Sequence, residues 1–191
     1  MQKLIIFEAM KSDFYIRIEN SSAYRKDREQ NRNLALRNPD YLNEIIRMSL
    51  DLDDKNHHKA YWILELVCEK KLKTFVPFIE SFLETIPRLK NDSAIRPASK
   101  ICLFLTKSNH RANGISLSQL QETQIIESCL DWLIRDEKVA AKAYSIKTLF
   151  ILGKKYDWIH DELKNILQQD YAHHTAAYKA VARHTLKKIN K

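Results

Sequence analysis

Apolar residues recur at helical spacing along nearly the whole chain after Pro39. Leu42, Ile45, Ile46 and Leu50 form one stripe, and Phe75, Phe78, Ile79, Phe82 and Ile86 form a second. Ile125, Ile126, Cys129, Leu130 and Leu133 form a third. Residues at these offsets share one face of a helix, so each stripe predicts an amphipathic helix with one side to bury. The polar stretches between the stripes supply helix ends. Ser118 and Gln121 stand at the offset of a capping box, in which each side chain satisfies the other's backbone donor. Pro77 and Pro97 fall near predicted helix starts, where a missing N–H costs least. Upstream of Pro39 the pattern is less regular: a helix is predicted over about residues 2–18, then a very polar one from Ser22 to Arg37.

The pattern also repeats at long range. "KAYWILELV" from Lys59 returns as "KAYSIKTLF" from Lys142, and "RPASKICLF" from Arg96 and "KAVARHTLK" from Lys179 fall into the same frame. The first position is basic each time: Lys59, Arg96, Lys142, Lys179. The next holds Ala60, Pro97, Ala143 and Ala180, and seven residues after the basic position stand Leu66, Leu103, Leu149 and Leu186. The copies are spaced by 37, 46 and 37 residues, and the longer interval contains the predicted loop "TKSNHRANGISLS". Each copy follows a helix that ends in an acidic or amide-rich turn: "LDLDD", "RLKND", "IRDEK", "LQQDY". The unit is a helix–turn–helix pair used four times, with a period expected of helical repeats. One pair exposes an apolar face that it cannot cover alone, and stacking similar pairs covers it.

A turn acid, a basic residue and a leucine seven positions on resemble the second helix of HEAT repeats, close kin of armadillo repeats. The resemblance covers roughly residues 40–190. The acid six before the base is present as Asp53 and Asp136, whereas Lys90 and His173 hold the other two positions. The whole chain is also similar to a group of small HEAT-like proteins of Bacteroidetes. The resemblance implies an all-α, HEAT/armadillo-like superhelix, or solenoid, forming one domain over residues 1–191. Its expected parts are N-terminal cap helices over 1–38 and repeats at about 40–71, 73–108, 117–155 and 157–190. It also implies that the second helices line a concave surface.

Composition narrows the function. Hydrophobic residues at 45% and charged residues at 29% of 191 residues describe an ordinary globular chain. Gly114 and Gly153 are the only glycines, where average usage of about 7% gives roughly a dozen. Phosphate-cradling loops and the G-x-S-x-G elbow need closely spaced glycines, so both are excluded. Cys68, Cys102 and Cys129 sit in apolar helical runs without paired spacing and are expected to be buried thiols of a reducing compartment. The apolar run "LIIF" is too short for a membrane span. A cytoplasmic monomer is expected, with no membrane association and no cofactor.

Net charge of +8 at pH 7 favours an anionic partner. Lys59, Arg96, Lys142 and Lys179 form a predicted basic ladder, one per repeat, with Tyr61 and Tyr144 beside it. The ladder either grips a ligand or pairs with the turn acids Asp53 or Asp54, Asp92, and Asp136 or Glu137. A second basic edge comprises Lys70, Lys71, Lys73, Lys107, Lys154, Lys155, Lys187, Lys188 and Lys191, where cations also complement helix C-termini. The expected function is a non-catalytic scaffold or adaptor that binds a protein or peptide partner along its concave face. The alternative is nucleic-acid binding, related to the HEAT-like alkylpurine DNA glycosylases, with Trp62, Trp132, Trp158 and Asp131 as candidates. The histidine pairs His57–His58 and His173–His174 lack the spacing of a zinc site and are read as turn residues.

Overall fold

The computed structural model describes residues 11–169, 171 and 174–190. Among these residues every regular element is helical. The first are α1 (Asp13–Glu19), α2 (Arg25–Arg37), α3 (Pro39–Leu50), α4 (His57–Lys71) and α5 (Ile79–Thr85). There follow α6 (Asp92–Asn109), α7 (Gln119–Ile134), α8 (Val139–Leu152), α9 (Asp157–Gln169) and α10 (Ala176–Ile189). Short 3₁₀ turns at Leu72–Phe78 and Ile86–Arg88 flank α5. The helix predicted near residues 2–18 falls partly outside the described residues, and its described part is α1.

The arrangement is an all-α solenoid in two layers. One layer is the run α2, α4, α6, α8, α10, each helix packed on the next. In the other, α3 packs on α5 and α5 on α7, while α3 and α7 also pack on α4 and α8. A continuous core runs between the layers, with Trp132, Tyr61, Tyr178, Phe75 and Phe82 as its largest fully buried side chains. Ala60 and Pro97, which follow the first two basic positions, are buried. Leu66, Leu103 and Leu149 are buried too. The rule weakens at the end of the chain. Ala180 is exposed and Leu186 half-buried, because no further helix pair among the described residues covers α10.

Several sequence signals have a direct counterpart. The capping box at the start of α7 is formed, with both Ser118 and Gln121 side chains engaged. Asn38, Asn91 and Thr175 cap α3, α6 and α10 through their side-chain oxygens. The stripe from Phe75 to Ile86 is buried at Phe75, Ile79, Phe82 and Ile86, but Pro77 keeps its first part in a 3₁₀ turn rather than one continuous helix. Helix α6 runs to Asn109, so the predicted loop is helical for its first residues.

Pro97 stands in the second turn of α6 rather than near its start. Its missing N–H leaves the carbonyl of Ser93, four residues back, without the usual helical donor. The indole Nε1–H of Trp62 on α4 donates to that carbonyl instead, at 2.8 Å. A proline in one helix thus fixes a tryptophan on its neighbour.

Candidate functional site

The four ladder positions meet different fates. Lys59 donates to the carbonyl of Glu19, the last residue of α1, and Lys142 donates to the carbonyl of Leu133 near the end of α7, at 2.9 Å. Both cations thereby sit on the negative ends of helices, where backbone carbonyls lack partners. Lys142 is only 3% exposed. Arg96 reaches Glu65 at 2.6 Å rather than Asp92. Lys179 is half-buried and lies 5.9 Å from the centre of the Tyr171 ring. Tyr61 is wholly buried, and burial pushes its phenol well above the usual range. Tyr144 is half-buried and lines a cleft.

That cleft, about 610 Å³, opens on α2, α4, α6 and the start of α8. Its floor is an ion-pair network built by i, i+4 rows on facing helices. Glu65 on α4 is 3% exposed and accepts from Arg96 at 2.6 Å and Lys100 at 2.7 Å, both on α6. One turn on, Glu69 pairs with Lys100 at 3.2 Å and with Arg25 of α2 at 3.4 Å. Burial works against the Lys100 ammonium, and its bonds to Glu65 and Glu69 outweigh that, so its pKa stands above the usual lysine value. Burial likewise opposes the Glu69 carboxylate, yet Lys100 and Arg25 hold it below the usual carboxylate range. Trp62, set by the Ser93 carbonyl, and Tyr144 contribute aromatic surface. At the mouth, Lys138 lies 3.6 Å from Asp92. Burial, and after it the Asp92 carboxylate, raises the pKa of neighbouring Glu137.

The lining carries five cations, Arg25, Arg28, Arg96, Lys100 and Lys138, and the carboxylates of Glu65 and Asp92, while Glu29 and Glu69 beside it hold Arg25 at 2.8 and 3.4 Å. Arg28 has no ion pair among the described residues, and its shielded Nε lacks a hydrogen-bond partner there. The arrangement suits an anion held against aromatic walls. Of the ladder and its tyrosines, the structure brings Arg96 and Tyr144 to this cleft and leaves Lys59, Lys142 and Tyr61 elsewhere. Sequence reading missed Arg25, Arg28, Glu65, Lys100 and Lys138. One signal was available: Glu65 interrupts the apolar run "YWILELVC", and a buried carboxylate needs cations to face it.

A second buried carboxylate serves the fold. Glu122 of α7 is 1% exposed and accepts from Lys155 and Tyr156 at 2.5 Å each and from Asn109 at 2.7 Å. Burial alone would raise its pKa, but the bonds from Lys155 and Tyr156 bring it below the usual carboxylate range. The glycosylase candidates are not assembled. Trp132 is buried, Trp158 is 54% exposed, and Asp131 is tied to Arg135 at 3.0 Å on the surface of α7, whereas Trp62 is in the cleft. His58 stacks edge-on against Trp62, and His173 and Lys191 lie outside the described residues. Among the described residues no group of His, Cys, Asp and Glu is placed to hold a metal ion, and no helix is long and apolar enough to cross a membrane.

Comparison with known proteins gives one match. A family model described as a HEAT repeat domain matches residues 23–189. No curated protein and no solved structure matches the chain.

Proposed function

This chain belongs to the HEAT repeat domain family, and from that premise we propose that it is a non-catalytic scaffold holding an acidic segment of a partner protein in the cleft between α2, α4, α6 and α8. The four helix pairs serve as its repeats, and the layer containing α4, α6 and α8 forms its concave face. The observation that carries the reading is the excess of cations over carboxylates in one cleft, set beside Trp62 and Tyr144. Helical repeats commonly present such extended surfaces to partners. The Glu65 network holds Arg96 and Lys100 in place before a partner arrives, which lowers the ordering cost of binding.

Fluorescence anisotropy with labelled peptides tests the proposal. Peptides rich in Glu and Asp are expected to bind at about 50 mM salt and to weaken at about 200 mM, because exposed charge pairs are screened within about 10 Å or less. Neutral and Lys-rich peptides of the same length should not bind. Single-stranded and duplex DNA run as competitors in the same assay. DNA binding that is tighter than peptide binding and falls steeply with salt would replace this reading by the nucleic-acid one.

A further inference from the structure

A groove of about 280 Å³ lies between the later turns of α6, α8 and α10, with Lys107, Lys147, His184 and Lys188 at its walls and Phe150 and Ile151 beneath them. Resting on the reading of the cleft as a peptide site, we infer that the bound segment is bipartite. It runs on from the cleft along α6 and α8 and sets a second acidic cluster in this groove, against Lys107, Lys147 and Lys188.

The charge of the groove is one-sided. No carboxylate among the described residues lines it, and none of its three lysines has an ion pair there. In the cleft, by contrast, Glu65 and Asp92 share the lining with the cations. A segment drawn to the cleft by its acids therefore meets a second, less neutralised cationic site on the same layer of helices.

Helix spacing joins the two sites. On α6, Arg96 in the cleft and Lys107 in the groove are eleven residues apart, close to three turns, so they share one face and stand about 16 Å apart along it. Lys100 and Phe104 fall between them, the ammonium 5.3 Å from the ring centre. On α8, Tyr144 lines the cleft and Lys147 the groove, with the Lys147 ammonium 5.8 Å from the centre of the Tyr144 ring. The wall is thus continuous from one site to the other. An extended segment rises about 3.3–3.6 Å per residue, so about five residues cover the separation.

A single strand of nucleic acid is the poorer fit. Its affinity draws on bases stacked against open aromatic faces. The groove's only aromatic ring besides His184 is Phe150, and it is already engaged: His160 stacks on it at 5.4 Å, and the ammoniums of Lys154 and Lys188 lie 5.7 and 5.8 Å from its centre.

The test uses the full chain and two labelled peptides, Glu-Glu-Glu-Gly-Ser-Gly-Glu-Glu-Glu and a single-cluster control in which the last three residues are serine. Anisotropy is read at about 0.1 M salt, where screening over about 10 Å keeps the two sites electrically separate. The bipartite peptide is expected to bind at least about tenfold more tightly than the control, as linkage of two weak contacts implies. In Lys107→Gln with Lys188→Gln, with unchanged circular dichroism, its affinity should fall to that of the control, and the control's affinity should stay as it was. Equal affinity of the two peptides for the wild type overturns this inference and leaves the acidic-peptide reading standing. A double variant that weakens both peptides alike also overturns it, because the lysines then act only through net charge. Failure of both peptides removes both readings. Oligothymidylate that binds more tightly than the bipartite peptide, and is weakened by the same double variant, assigns the groove to nucleic acid and overturns the inference.

Discussion

Lys142 brings a cation to a site only 3% exposed, and what meets it there is the carbonyl of Leu133 at 2.9 Å. Lys59 does the same for the end of α1. These two residues show the recurring basic position holding the end of a neighbouring helix, whereas Arg96 at the same position lines the cleft. The recurrence was legible in the sequence because spacing alone reveals it. The acceptors were not, because a four-carbon stem reaches carbonyls and carboxylates alike and nothing local distinguishes them. Truncating Lys142→Ala removes the donor and leaves a carbonyl and a void, so a loss of about 1–3 kcal/mol in urea unfolding is expected. Gly114 makes a parallel point. It has no positive φ, yet a Cβ there would lie 1.6 Å from the Ser108 carbonyl oxygen. Gly114→Ala should therefore destabilise by about 1–3 kcal/mol through forced backbone movement, measured in the same unfolding experiment.

At the scale of elements, the long interval between repeats is held by one carboxylate. Glu122 joins the end of α6 through Asn109 to the turn after α8 through Lys155 and Tyr156. Ser108 and Asn109 also accept from the backbone of Ile115 and Leu117, which ties the inserted loop back to α6. The stabilisation from Glu122 has a definite pH dependence. Its folded pKa lies below the unfolded value of about 4.3, so its contribution is fully present above that value and is lost as pH falls through the folded one. Glu122→Gln should cost about 1–3 kcal/mol at pH 7, and thermal melts of variant and wild type should draw together as the pH falls below the unfolded value of about 4.3. Helix existence and the capping box at Ser118 were readable from periodicity and offsets. The role of Pro97 was not, because the carbonyl it frees is claimed by Trp62 from another helix, a contact that exists only once the layers are stacked.

For the whole molecule, four similar helix pairs need not make four similar sites. The solenoid repeats its packing, while the cleft proposed for the partner lies where α2 adds Arg25 and Arg28 to the row on α6. That helix lies outside the repeated phrase, so a reading anchored on the repeat places the ligand along the ladder and passes over the cleft. The HEAT repeat match begins at residue 23 and so includes α2. The most direct test of this division compares two double variants by acidic-peptide anisotropy and thermal unfolding. Arg28→Gln with Lys138→Gln should lower affinity about tenfold or more, as loss of two charge-assisted contacts implies, with the melting temperature nearly unchanged. Lys59→Met with Lys142→Met should lower the melting temperature and leave the affinity of the folded protein as it was. If the second pair abolishes binding while the first leaves it intact, the ladder is the site and the central claim is wrong.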